Sequence, residues 1–184
     1  MSWVYLQASL ETLDFDQVPS EGLEILLERV LALLGPEAAS RIAAFAKPPH
    51  LALGPQTQAW ADYWRSLMHE LALERKKRLK RLNAETSTDA FPLAPMADLE
   101  EILHADNPLN GQINYLQLLF NEAEHLAWGL EPGPERLALY ALCLGLVEER
   151  QSYQAAQGQA LAKAWMNQHL NDGILHQAFF RDRT

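Results

Sequence analysis

Cysteine is nearly absent from this chain, with Cys143 alone among 184 residues. One thiol cannot close an internal disulfide, so the cross-linked secreted scaffolds are excluded and a reducing compartment is expected. Long apolar runs are missing as well. Around the most hydrophobic segment, Leu137–Val147, the stretch free of charges and amides falls far short of the ~18 apolar residues of a membrane span. No glycine-rich loop follows a strand-like run, which removes the usual phosphate cradle; Gly129 and Gly133 read as helix punctuation. Metal spacings are incomplete. His69-Glu70 begins like a zinc-protease helix, but Leu73 stands where the second histidine must lie one turn on. Glu122 and His125 have the i, i+3 spacing of a di-metal carboxylate bundle once, where two such pairs and two further glutamates are needed. Cys143 lies among leucines with no neighbouring cation to make it a thiolate, so it reads as a core thiol. The start, Met1-Ser2-Trp3-Val4-Tyr5-Leu6, lacks the basic opening and small-residue cleavage site of a secretory signal, and a cytoplasmic protein is expected.

Basic charge is scarce, with 15 Lys and Arg against 24 Asp and Glu for a net −9, which argues against general nucleic-acid binding. What basic charge there is lies together. Arg75, Lys76, Lys77, Arg78, Lys80 and Arg81 account for six of the fifteen cations, leaving nine against 24 acids, or −15, for the rest. A solvated helix end explains such a cluster as well as docking does. If it docks, an acidic protein surface is the fitting partner, since the acidic body repels a polyanion such as RNA. These six residues are the candidate partner-binding site.

The rest of the sequence is rich in helical pattern. With 48% hydrophobic residues the chain can build one good core. An all-α bundle of about five to seven helices is expected, two of them long, in one domain over 1–184 with a subdomain boundary in the linker-like segment 84–95. Trp3–Leu10 fits a short strand or a first helical turn equally. Leu23, Leu26, Leu27, Val30, Leu31 and Leu34 recur at helical spacing, with Ser20 as the expected cap, until Gly35 stops them. Pro36 opens the next helix and Lys47-Pro48-Pro49 ends it, making a hairpin. Thr57 is the expected cap of a helix carrying Trp60, Tyr63, Trp64, Leu67 and Leu71 and running to about Asn83. A short helix is expected at 97–104. Asn107-Pro108 then supplies a cap and a first helical proline for Leu109, Ile113, Leu116, Phe120 and Ala123. From Pro134 to His169 nothing stops a helix. Its first half is apolar on nearly every side, so it should be surrounded.

Three stretches carry a family likeness: Tyr5-Leu6-Gln7-Ala8-Ser9-Leu10; the Trp60, Trp64, Leu67 helix running into basic residues; and Asn107-Pro108-Leu109 through His125-Leu126-Ala127-Trp128 to the apolar helix ending in Glu149-Arg150. On these the chain resembles an uncharacterised bacterial family encoded with V-type ATPases, which is similar to the C (d) subunit of those ion-transporting enzymes. The resemblance implies a helical, non-enzymatic, partner-binding subunit with no cofactor and no catalytic residue, associated with a membrane only peripherally through a complex. An alternative from another class is a peptide-binding chaperone resembling the all-helical maturation factors of redox enzymes, which would hold an exported enzyme's leader peptide in an apolar groove. A third, a small enzyme, requires a concave cluster joining His69, His104 or His125 to Glu122 or Asp106.

Overall fold

The computed structural model describes residues 3–80, 99, 102, 103, 105 and 107–153, without the side chains of 75–80. Six helices run through them: α1 Trp3–Ala8, α2 Leu23–Leu34, α3 Pro36–Ala46, α4 Pro55–Lys80, α5 Pro108–Ala127 and α6 Pro134–Ser152. No strand occurs among the described residues, and the N-terminal segment is helix. None of the helices among them is long and apolar enough to cross a membrane. The chain divides into two compact units, Met1–Glu148 and Glu149–Thr184. The expected boundary at 84–95 lies outside the described residues.

In the first unit α2 and α3 pack as the expected hairpin. Gly35 is both the end of α2 and the cap of α3, and its φ of 93° is one that a side chain would resist. Leu23, Leu26 and Val30 of α2 are buried with Ile42, Phe45 and Ala46 of α3. Leu31 faces out. α4 packs on α5, and the Trp60 indole, fully buried, donates to the Leu119 carbonyl at 3.1 Å. Around it His50, Phe45 and Trp64 meet edge to face, with ring centroids 4.8 Å apart for His50–Trp64 and 4.9 Å for His50–Trp60. The loop between α1 and α2 is pinned by Phe15, whose ring lies 5.4 Å from that of Phe120 on α5.

α6 is the most buried helix, as its all-round apolar sequence requires. Leu137, Ala138, Leu139, Ala141, Leu142, Leu144 and Val147 are all 0–2% exposed, and each fully buried leucine contributes about 1.5–3 kcal/mol of transfer energy. The expected continuous helix to His169 is interrupted. α6 ends at Ser152, where Tyr153 turns and its amide donates to the Arg150 carbonyl at 3.1 Å. The rest of that stretch lies outside the described residues. In the second unit the Tyr153 hydroxyl donates to Glu149 at 2.7 Å.

Helix starts follow the sequence at α5 and depart from it at α2 and α4. Asn107 caps α5 as expected, its side chain accepting from the Leu109 and Asn110 amides at 2.7 and 3.1 Å. Ser20 does not cap α2. The cap position is Gly22, without a side chain, and the Leu23 amide instead donates to Glu148 of α6 at 2.8 Å. Thr57 lies inside α4, not before it. Its hydroxyl accepts from the Leu53 and Gly54 amides at 2.8 and 2.9 Å, while Glu135 of α6 accepts from the Gln56 and Thr57 amides at 2.9 and 3.2 Å. Together they make a capping box whose carboxylate comes from another helix. Of the short helix expected at 97–104, Leu99, Ile102 and Leu103 are helical and the rest lies outside the described residues.

Candidate functional site

One face of α5 and one face of α6 border a cavity of about 1060 Å³, closed on a third side by the end of α1 and the loop after it. The spacing on each helix is that of a single face. α5 contributes Asn121, Glu124, His125 and Trp128; α6 contributes Arg136, Leu139, Tyr140 and Cys143. Both sets fall at i, i+3, i+4 and i+7. From α1 and its loop come Gln7, Leu10, Glu11 and Leu13.

Local structure fixes these positions. Trp128 ends α5, its amide donating to the Glu124 and His125 carbonyls at 3.0 and 3.2 Å. Gly129 follows at φ 76°, the left-handed turn that lets the chain reverse toward α6. The Trp128 side chain is left 89% exposed at the edge of the cavity. Gln7 reaches across from α1, its Nε2 donating to the Gly133 carbonyl at 2.9 Å in the turn before α6. Arg136 donates to the Leu130 carbonyl at 2.9 Å and so closes the same turn.

The electrostatics lean acidic. Burial, then the nearby charge of Asp14, pushes the Glu124 carboxyl above its ordinary range. Tyr140 is pushed up to about 12, by burial first and then by Glu11 and Glu21, with Arg29 opposing. Arg29 itself pairs with Glu21 and donates to the Ser9 hydroxyl at 2.5 Å. Cys143, buried in the cavity wall, is pushed far up by burial and by Glu124, and its sulfur lies 4.0 Å from the Phe120 carbonyl oxygen. It is a protonated core thiol, as its leucine neighbours imply. Two buried polar atoms on residues of the wall, Gln7 Oε1 and Tyr140 Oη, have no hydrogen-bond partner among the described residues.

The residues singled out from the sequence are distributed differently. Arg75, Lys76, Lys77, Arg78 and Lys80 lie on the last turns of α4, their side chains outside the described set, and Arg81 lies wholly outside it. His125 reaches the cavity, whereas Glu122 and His69 do not line it; His104 and Asp106 lie outside the described residues. Among the described residues no group of three His, Cys, Asp or Glu side chains is placed to hold a metal ion. The cavity itself was not anticipated. Its one local signal is Trp128 beside Gly129, an aromatic residue at a helix end where the stripe of α5 has already run out.

The fold and site define an all-α bundle with a mixed polar and apolar cavity beside an exposed tryptophan. No family model matches the chain, and neither a curated protein nor a solved structure matches it.

Proposed function

We propose that this is a non-enzymatic helical interaction protein that takes a segment of another polypeptide into the cavity between α1, α5 and α6, as a peptide-binding chaperone does. The observation that supports this is the pairing of the 1060 Å³ cavity with Trp128, 89% exposed beside it. Tryptophan is among the residues enriched where partners bind. At about 1060 Å³ the cavity is slightly larger than the ~300–1,000 Å³ typical of small-molecule sites, which leaves room for several peptide groups. Leu10 and Leu13 on its wall suit apolar side chains, and Glu11 and Glu124 share the lining with Arg136 and His125, so the cavity offers polar partners of both kinds.

A fluorescein-labelled leader peptide of an exported redox enzyme, followed by anisotropy, tests the proposal. Saturable binding that is lost in Trp128→Ala, with helicity unchanged, is expected. Absence of binding, or binding indifferent to Trp128, removes it.

A second proposal, an accessory subunit of a V-type ATPase, is supported by the six cations between Arg75 and Arg81 in an otherwise acidic chain. Reversing Arg75, Lys77, Arg78 and Arg81 to Glu should leave the melting temperature unchanged and abolish a salt-sensitive partner seen on co-purification from the host. A lowered melting temperature with the partner retained would instead give the cluster an internal role.

A further inference from the structure

The charged residues of the cavity lining, Glu11, Glu124, His125 and Arg136, are all exposed to solvent, and the two signs are kept apart along it. Arg136 marks one end. It donates to the Leu130 carbonyl at 2.9 Å in the turn between α5 and α6, the turn that Trp128 enters. That bond uses one of the five N–H donors of the guanidinium and leaves its charge in place. The carboxylates mark the other end. The Cys143 sulfur lies 4.0 Å from the Phe120 carbonyl oxygen, so α5 and α6 run antiparallel away from the turn. After burial, it is the Glu124 charge that raises the Cys143 thiol and the Glu11 charge that raises the Tyr140 phenol, which places both carboxylates beside those residues. One oxygen of Glu11 accepts from the Ser20 amide at 2.6 Å, and Asp14 adds its charge at Glu124.

Helix geometry sets the distance between the two ends. Side chains lean toward the start of their own helix, which carries Arg136 toward the turn and Glu124 away from it. Arg136 and Cys143 stand about 10 Å apart along α6, at about 1.5 Å per residue. His125, one turn before Trp128, lies between the ends with a ring that can donate or accept. An occupant with two like charges is repelled at one end of such a cavity, whereas a cation and an anion about 10 Å apart are attracted at both. An extended chain covers that distance in about three residues. We propose that the cavity selects a polypeptide segment carrying a basic residue and, about three positions away, an acidic one, the basic side chain meeting Glu11 and Glu124 and the carboxylate meeting Arg136, with Leu10, Leu13 and Trp128 against the apolar residues between. This rests on the peptide-binding function proposed above and adds that the order of charges fixes which way the segment lies.

The probes are three tetrapeptides, acetylated at one end and amidated at the other: Lys-Leu-Leu-Asp, Lys-Leu-Leu-Lys and Asp-Leu-Leu-Asp. Each is titrated into the full chain at low salt and followed by amide and indole shifts in proton–nitrogen spectra. Lys-Leu-Leu-Asp should bind about tenfold more tightly than either of the others, and the advantage should shrink to about twofold at about 0.5 M salt. Arg136→Glu should give the preference to Lys-Leu-Leu-Lys, and Glu124→Lys should move it to Asp-Leu-Leu-Asp. A changed rank among the probes is a result that damage to the fold does not produce. Equal binding of the three probes by the wild-type protein, or a rank that neither variant moves, overturns the inference. If the labelled leader peptide binds through Trp128 while the probes rank equally or do not bind, only charge selection falls; if neither that peptide nor any probe binds, the peptide-binding function falls with it.

Discussion

The carboxylate of Glu148 stands 2.8 Å from the amide of Leu23, so that the last buried turn of α6 supplies the cap that α2 lacks in its own sequence. Glu135, in the first turn of the same helix, does the corresponding service for α4. Both cap positions are glycine, and in both cases the reason is space: a Cβ on Gly54 would sit 2.5 Å from the Glu135 carboxyl carbon, and one on Gly22 would collide with a Glu148 oxygen. Glu148→Ala should therefore destabilise the protein by about 0.5–2 kcal/mol, the cost of a lost cap, as measured by urea denaturation.

Gly54→Ala should cost about 1–3 kcal/mol in the wild-type background, because a packed carboxylate must give way. In a Glu135→Ala background the same change should cost much less. A double-mutant cycle checks this, and strict additivity would show that the glycine is not there to admit the carboxylate.

Two neighbouring positions of α6 should respond in opposite directions. Leu144 is fully buried, and Leu144→Ala should cost about 2–5 kcal/mol through the cavity left behind. At Gly145 an added Cβ would meet only Leu23 Cδ2, at an ordinary 3.5 Å. Gly145→Ala should raise stability by about 0.5–1 kcal/mol, since glycine inside a helix is entropically costly.

Tyr140→Phe removes a buried hydroxyl that has no hydrogen-bond partner among the described residues. Melting by circular dichroism should show the variant as stable as the wild type or more so, because the desolvation cost of that group disappears. A clear loss of stability would mean that the hydroxyl is satisfied in the folded protein.

His50 carries a pH dependence. Its ring is buried against Trp60 and Trp64, with Nδ1 2.7 Å from the Phe45 carbonyl, and burial outweighs that hydrogen bond to lower its pKa from 6.5. The unfolded chain then binds the proton more readily than the folded one, so this contribution to stability is fully present above about pH 6.5 and is lost as the pH falls toward the lowered value. Denaturation midpoints between about pH 8 and 5 should decline, and His50→Asn, which tolerates the positive φ at this position, should flatten that decline.

Local signals were the ones legible in the sequence. Gly35 ending α2, Pro36 opening α3 and Asn107-Pro108 starting α5 each act on residues within a turn of themselves, and each stands where the pattern puts it. Ser20 and Thr57 mislead for the converse reason. The groups that finish α2 and α4 lie more than seventy positions away, on a helix whose even apolar coat says that it is surrounded but not by what. The same coat conceals the cavity. Leu139, Tyr140 and Cys143 look like any other part of the apolar run, and only their placement opposite Trp128 separates them from it. Eight residues at the N-terminus are too few for periodicity to distinguish helix from strand; the segment is helix over Trp3–Ala8, with Leu6 buried.

The dependence of α2 and α4 on carboxylates carried by α6 also bears on synthesis. A ribosome makes the chain from its first residue, and the α2–α3 hairpin can close as soon as it emerges because its partners are adjacent. The starts of α2 and α4 stay unfinished until Glu135 and Glu148 have been added, and Leu23, which packs beside Gly145 of α6, stays uncovered for the same interval. Most of the first unit is thus translated before it can close, and its apolar surface is open to the cell for that interval.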